Sequence, residues 1–211
     1  KLDRIAPDGK SLWAAPIEVA ISGTLIVSDV KRGSDGSVIA SFVHYTVFSG
    51  PKRLKAQRFD TTGSALWNAP LIDVFSASSL QYGNFPEFIA DGSGGALFTW
   101  YSTSPLMARA QWIDESGTVL LGSNGAAVTT ESSMVHVSPA ACMDLASGEV
   151  VVFWVRQNAS QSQAGVHANR FNRKGDLLWG AEGIEVSPLS PSTTVLDLTA
   201  TPVDSLSVGS W

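Results

Sequence analysis

Apolar and polar positions alternate along this chain in short runs separated by glycine-rich breaks, a pattern that predicts β-strands. Val150-Val151-Val152-Phe153-Trp154-Val155 is a β-branched and aromatic run of the kind found in a fully buried strand. Asp91-Gly92-Ser93-Gly94-Gly95 supplies the positive φ angles that a tight hairpin needs. No stretch combines helical apolar spacing with helix caps. In the second of the units described next, the runs predict strand A near Pro86–Ala90, B near Ala96–Tyr101, C near Ala108–Asp114 and D near Val119–Val128.

The strand pattern is repeated. Ala56-Gln57-Arg58-Phe59-Asp60-Thr61-Thr62-Gly63-Ser64-Ala65-Leu66-Trp67 aligns with the segments opening at Leu2, Ala110 and Ala168. Their turn glycines, Gly9, Gly63, Gly117 and Gly175, follow one another at intervals of 54, 54 and 58 residues. A second recurring element ends at Phe42, Trp100 and Trp154, with a degenerate copy ending at Trp211. A period of about 50 residues built from four short strands is the signature of a propeller blade.

All seven tryptophans fall on this grid. Trp13, Trp67 and Trp179 share one column, and Trp100, Trp154 and Trp211 share another. Trp112 stands alone, in a column otherwise held by Arg4, Arg58 and Arg170. Twisted sheets stacked face to face leave wedge-shaped gaps that flat side chains fill. Burying one indole removes roughly 150–250 Å² from water, worth at most about 4–6 kcal/mol. The expected architecture is therefore all-β: a β-propeller of four-stranded antiparallel blades in a single domain. Three complete blades span about 21–74, 75–128 and 129–187. Residues 1–20 and 188–211 are expected to pair as a fourth blade and close the ring, which would hide the sheet edges. A segment of a larger propeller, with six to eight blades, is the alternative.

Composition narrows the function classes. Charged residues make up 16% of the chain and the net charge is −5, which argues against nucleic acid or an anionic membrane as a general partner. No apolar run reaches the length of a membrane span. The first residue is Lys1 and not Met, as in a chain matured by cleavage, which agrees with an extracellular or cell-surface location or with a periplasmic one. The lone Cys142 leaves no internal disulfide and reads as a small buried hydrophobe. Asn158-Ala159-Ser160 fits a glycosylation acceptor, which matters only in a eukaryotic secretory pathway.

The pattern Gln-Arg-Phe-Asp-x-x-Gly-x-x-Leu-Trp resembles a repeat of secreted bacterial propeller proteins. Its C–D portion is also similar to the repeat of quinoprotein propellers, in which Asp-x-x-x-Gly and a following Trp recur. The resemblance implies the blade fold over nearly the whole chain. Quinoprotein dehydrogenases use eight blades with a quinone and calcium. This chain has room for about four, and the ligands of that family do not map onto its positions, so their activity is not carried over.

Catalytic motifs are sparse. His44, His136 and His167 occupy different repeat positions, and no metalloprotease, paired-Cys or nucleophile-elbow pattern occurs. Asp60, Asp114 and Asn172 recur in one column, where calcium is the ligand to consider. An Asp or Asn ahead of a Gly turn more often bonds to its own backbone. The arginine column reads as structural ion pairs or as Arg lying over a blade Trp, with a repeated anion pocket as the other option. No cofactor is expected beyond that calcium option. In a blade the B–C and D–A connections emerge on one face of the disc. Tyr45, Tyr82 and Tyr101 fall in or beside these segments, as do His44, Phe48, His136 and Arg156. Variable loops on a rigid scaffold are where binding sits. The expectation is a non-catalytic binding or adhesion module of an exported protein, recognising protein or carbohydrate through these side chains. The rivals are a fragment of a metal- or quinone-dependent propeller enzyme and a structural unit of a surface assembly.

Overall fold

The structure, a computed structural model, describes residues 1–211 except 69, 145, 146, 196, 204, 205 and 211, and describes 203 and 206–210 by their backbone alone. Strands β1 (Thr24–Arg32), β2 (Val38–Tyr45), β3 (Arg53–Phe59) and β4 (Ile72–Phe75) form one antiparallel sheet in chain order. The second sheet holds β5 (Phe88–Ala90), β6 (Ala96–Thr103), β7 (Leu106–Ile113) and β8 (Ala126–Ala127). The third holds β9 (Val135–Asp144), β10 (Glu149–Gln157), β11 (Ala164–Phe171) and β12 (Ile184–Ser190). A hairpin of β13 (Thr199–Val203) and β14 (Leu206–Ser210) follows. The chain is thus all-β, with three four-stranded antiparallel sheets.

Period-two alternation explains why the second strands are apolar on both faces. Ile39 and Val43 of β2 face the second sheet, while Ala40 and Phe42 face the N-terminal segment. In β6, Ala96, Phe98 and Trp100 face the first sheet and Leu97 faces the third. In β10, Val150, Val152 and Trp154 face the second sheet, and Val151 and Phe153 face the layer that holds Leu198. Each sheet is sandwiched between its sequence neighbours.

The Gly and Trp columns meet at these seams. A Cβ on Gly63 would stand 2.9 Å from Ile17 and 3.5 Å from Trp13 of the preceding unit. At Gly117 it would stand 2.8 Å from Ile72 and 3.0 Å from Trp67. Both glycines have positive φ, +93° and +88°, so the turn and the close approach ask for the same residue. Trp13 Nε1 also donates to the Thr61 carbonyl across its seam, at 3.0 Å.

Fully buried amides organise the outer strands. Gln111 Oε1 accepts the Trp112 and Leu121 N–H groups at 3.1 and 2.9 Å, and its Nε2 donates to the Gly122 carbonyl at 2.6 Å. Gln57 and Asn169 do the same in the first and third sheets. These side chains replace ladder bonds. The fourth strand of the second sheet is accordingly shorter than its sequence run: Val119 makes one bridge to Ile113, and only Ala126–Ala127 forms a strand.

The ring expected from the sequence is not closed. Residues 1–20 make isolated bridges, Leu2 with Ile17 and Ile5 with Ser11, and pack Leu2, Ile17 and Val19 on Ala40, Phe42 and Phe59 of the first sheet. The β13–β14 hairpin forms a two-stranded sheet and lies against β9 of the third. Leu2, Ile17 and Val19 are therefore consumed at one end of the row and Val195, Leu198 and Ala200 at the other, and no pairing joins the two half-units among the described residues. Trp211 lies outside the described residues.

Candidate functional site

Two loops meet over the seam between the first and second sheets. Lys52, at the end of the β2–β3 connection, receives the Leu80 N–H on its carbonyl at 2.8 Å and donates its own N–H to Ser79 Oγ at 2.9 Å. Ser79 in turn accepts the Thr103 N–H at 3.0 Å, so the 76–87 segment is tied to both sheets. The Lys52 ammonium donates to the Phe48 and Gly50 carbonyls. It sits 5.1 Å from the Tyr45 ring centroid, 5.4 Å from Phe48 and 5.7 Å from Tyr82. Phe48 and Tyr82 meet edge-on at 5.4 Å, and Tyr45 and Phe48 at 6.3 Å. The cation braces three rings whose outer members remain open to solvent: Phe48 is 66% and Tyr82 67% exposed.

Tyr82, Gly83, Asn84 and Phe85 form a wall with a hollow on each side. One is a groove of about 130 Å³ that holds Tyr45 and Lys52. The other is a cavity of about 480 Å³ where β5, β9 and the start of β13 converge. Tyr101, Thr99, Ser138, Glu87 and Asp197 line the cavity, and among the described residues no Lys, Arg or His does. Asn84 is fixed by a turn in which its N–H donates to the Gln81 carbonyl at 3.0 Å, and its Nδ2 is buried with no hydrogen-bond partner. Ser138 holds φ +50° on a strand, beside the bulge where β9 slips against Phe153 and Val155. Burial pushes the Tyr101 phenol up, so it presents a neutral hydroxyl.

The structure therefore brings Tyr45 and Tyr82 together around Lys52, and Tyr82 and Tyr101 together around the cavity. Tyr101 lies within β6, because the β6–β7 connection is only the Ser104-Pro105 pair. His44 is elsewhere. It is buried in β2, and its Nε2–H donates to the Ser22 carbonyl at 2.8 Å, clamping the approach to β1. His136 and Arg156 belong to a buried polar cluster in the third sheet. His136 Nδ1 accepts from Trp154 Nε1 at 2.9 Å, so its Nε2–H donates to the Glu131 carbonyl at 3.0 Å. Arg156 reaches the Glu131 carboxylate at 3.4 Å and approaches His167 Nε2 at 3.5 Å. Burial lowers the pKa of His136 despite the neighbouring Glu131. Burial and the Arg156 charge lower that of His167. Glu131 would rise on burial, but hydrogen bonds from Ser133, with the nearby Arg156 charge, hold it below the usual carboxylate range.

Sequence reasoning missed Lys52, Asn84, Ser138 and Glu131 as members of these groups. A recurring column marks none of them; each is particular to one loop or one bulge. The recurring columns are absorbed by structure. Asp60 Oδ1 accepts the Thr62 and Ser64 N–H groups, Asp114 those of Ser116 and Thr118, and Asn172 those of Lys174 and Asp176. Arg58 pairs with Asp35 at 2.6 Å and Arg170 with Glu149, in each case tying the third strand of the sheet to the A–B hairpin. At Trp112, Arg173 of the next sheet lies 4.8 Å over the ring, while the indole N–H donates to Asp91 at 3.1 Å. No group of three or more His, Cys, Asp or Glu is placed to hold a metal among the described residues. No helix among them is long and apolar enough to cross a membrane. Comparison with protein-family models and with curated proteins gave no match.

Proposed function

We propose that this chain is a non-catalytic binding or adhesion module of an exported protein, and that its three sheets are blades of a β-propeller. It would recognise a protein or glycan through the face built by the β2–β3 connection and the 76–87 segment. One observation carries the reading. Two adjacent aromatic rings, Phe48 and Tyr82, stand about two-thirds exposed, held in place by a caged lysine beside a cavity of about 480 Å³. A soluble fold gains nothing by rigidly displaying such rings, and exposed aromatics with a polar tip are effective contact surfaces. Export is supported by the resemblance of the repeat to those of secreted bacterial propellers.

The test is a solid-phase binding screen of the purified chain against glycans and extracellular matrix proteins, repeated with Phe48→Ala and Tyr82→Ala. The expected result is a binder whose affinity falls at least about tenfold in one of the variants, equivalent to about 1.4 kcal/mol. A screen that finds no binder, or a binder indifferent to both changes, overturns the proposal.

A further inference from the structure

We propose that the cavity where β5, β9 and β13 converge is a subsite for an uncharged, hydroxyl-rich ligand, a neutral oligosaccharide. The proposal rests on the binding reading above and names its ligand class. At about 480 Å³ the cavity falls within the ~300–1,000 Å³ range of small-ligand sites.

Its chemistry is selective. Glu87 and Asp197 bring negative charge, and no cationic residue lines the wall to compensate, so phosphate, sulfate and sugar acids are repelled. Carboxylates, the Thr99 and Ser138 hydroxyls and the neutral Tyr101 phenol together offer acceptors and donors to a ligand bearing many hydroxyls. Tyr82, Phe85 and Tyr101 add the flat apolar surface on which a sugar ring lies.

Two further features belong to the wall. Asn84 lines the cavity and its buried Nδ2 donor has no partner, a cost that turning the amide toward a ligand acceptor would relieve. Ser138 keeps a left-handed φ of +50° in the cavity wall, where glycine would be unstrained; its hydroxyl is the feature glycine would lose.

The test is isothermal titration of the full chain with neutral gluco-, manno-, galacto- and xylo-oligosaccharides. Each neutral sugar is paired with a uronic-acid counterpart, and a trimethyl-lysine peptide is included. Trp100 lies in the cavity wall with its indole on the other face of β6, against Phe75, so indole fluorescence gives an indirect second readout. The expected result is binding of a neutral oligosaccharide with a fluorescence change, and at least about tenfold weaker binding of its uronate form. Asn84→Ala and Tyr82→Ala should each weaken binding about tenfold, and Glu87→Gln should narrow the gap between neutral and acidic sugars. Urea melts check that each variant folds.

The proposal is overturned if no neutral oligosaccharide titrates, if the acidic sugars or the cationic peptide bind better, or if Asn84→Ala has no effect. A ligand lost on Phe48→Ala but insensitive to Asn84→Ala would leave the recognition face standing and remove the cavity from it. A ligand indifferent to Phe48, Tyr82 and Asn84 alike would remove both.

Discussion

Alanine at Gly117 tests the seam between sheets. The residue holds φ +88°, and the new methyl group would stand 2.8 Å from Ile72 and 3.0 Å from Trp67 of the neighbouring sheet. Left-handed backbone with a Cβ costs about 1–2 kcal/mol. Overpacking against a ring that cannot retreat adds about 1–3 kcal/mol. Gly180 separates the two effects: its φ is +85°, and a methyl group there meets nothing within 4 Å. Gly175 is intermediate, with φ +85° and its nearest neighbour the flexible end of Leu121 at 3.2 Å. Urea unfolding of the three variants should therefore rank Gly117→Ala as the most destabilised and Gly180→Ala as the least, the extremes differing by about 1–3 kcal/mol. Equal losses at all three positions would mean that backbone conformation alone selects glycine, and that the turn does not seat against the indole.

Other outcomes follow from the interior. Gln111→Ala strands the Trp112 and Leu121 N–H groups and the Gly122 carbonyl, and should cost about 3–5 kcal/mol by urea titration; a loss below about 1 kcal/mol would mean that water replaces the amide. His136 and His167 have folded pKa values below the unfolded value of about 6.5, so the unfolded chain binds more protons below that pH. Stability should be level above pH ~7 and fall as pH drops through ~6.5 toward the folded pKa values, by at most about 1.4 kcal/mol per pH unit for each ring; a flat profile from pH 7.5 to 5.5 would contradict this. Arg173→Ala removes both the cation over Trp112 and the partner of the almost fully buried Asp91 carboxylate, and should cost about 1–2 kcal/mol, a loss that shrinks as salt is raised.

The repeat made the sheets legible because each column answers a local demand that recurs. A turn needs Gly117, the seam needs Trp67, and Asp114 must cap its own turn, so strands A to C of the second unit were placed to within a few residues. Strand D was overdrawn because the apolar run Val119–Val128 hides a substitution: the Gln111 side chain, not a neighbouring strand, receives the Leu121 N–H. Closure was misjudged because repeat arithmetic says which halves match and not which partner each half is buried against. The site was half legible. Tyr45, Tyr82 and Tyr101 stood out as polar-tipped rings in or beside the connections. Lys52 did not, because its role arises only when the loop turns at Gly50 and lays two carbonyls and three rings around one ammonium.

Because each seam is a glycine turn set against the preceding unit, the interior of every layer is complete once its two neighbours are present. No residue of the first sheet need know what the third contains. An array of this kind can lengthen by copying one unit of about 54 residues, since the new seams reuse contacts already solved. Change in such a molecule is then free to concentrate in the unrepeated connections, where Phe48, Tyr82 and Asn84 stand.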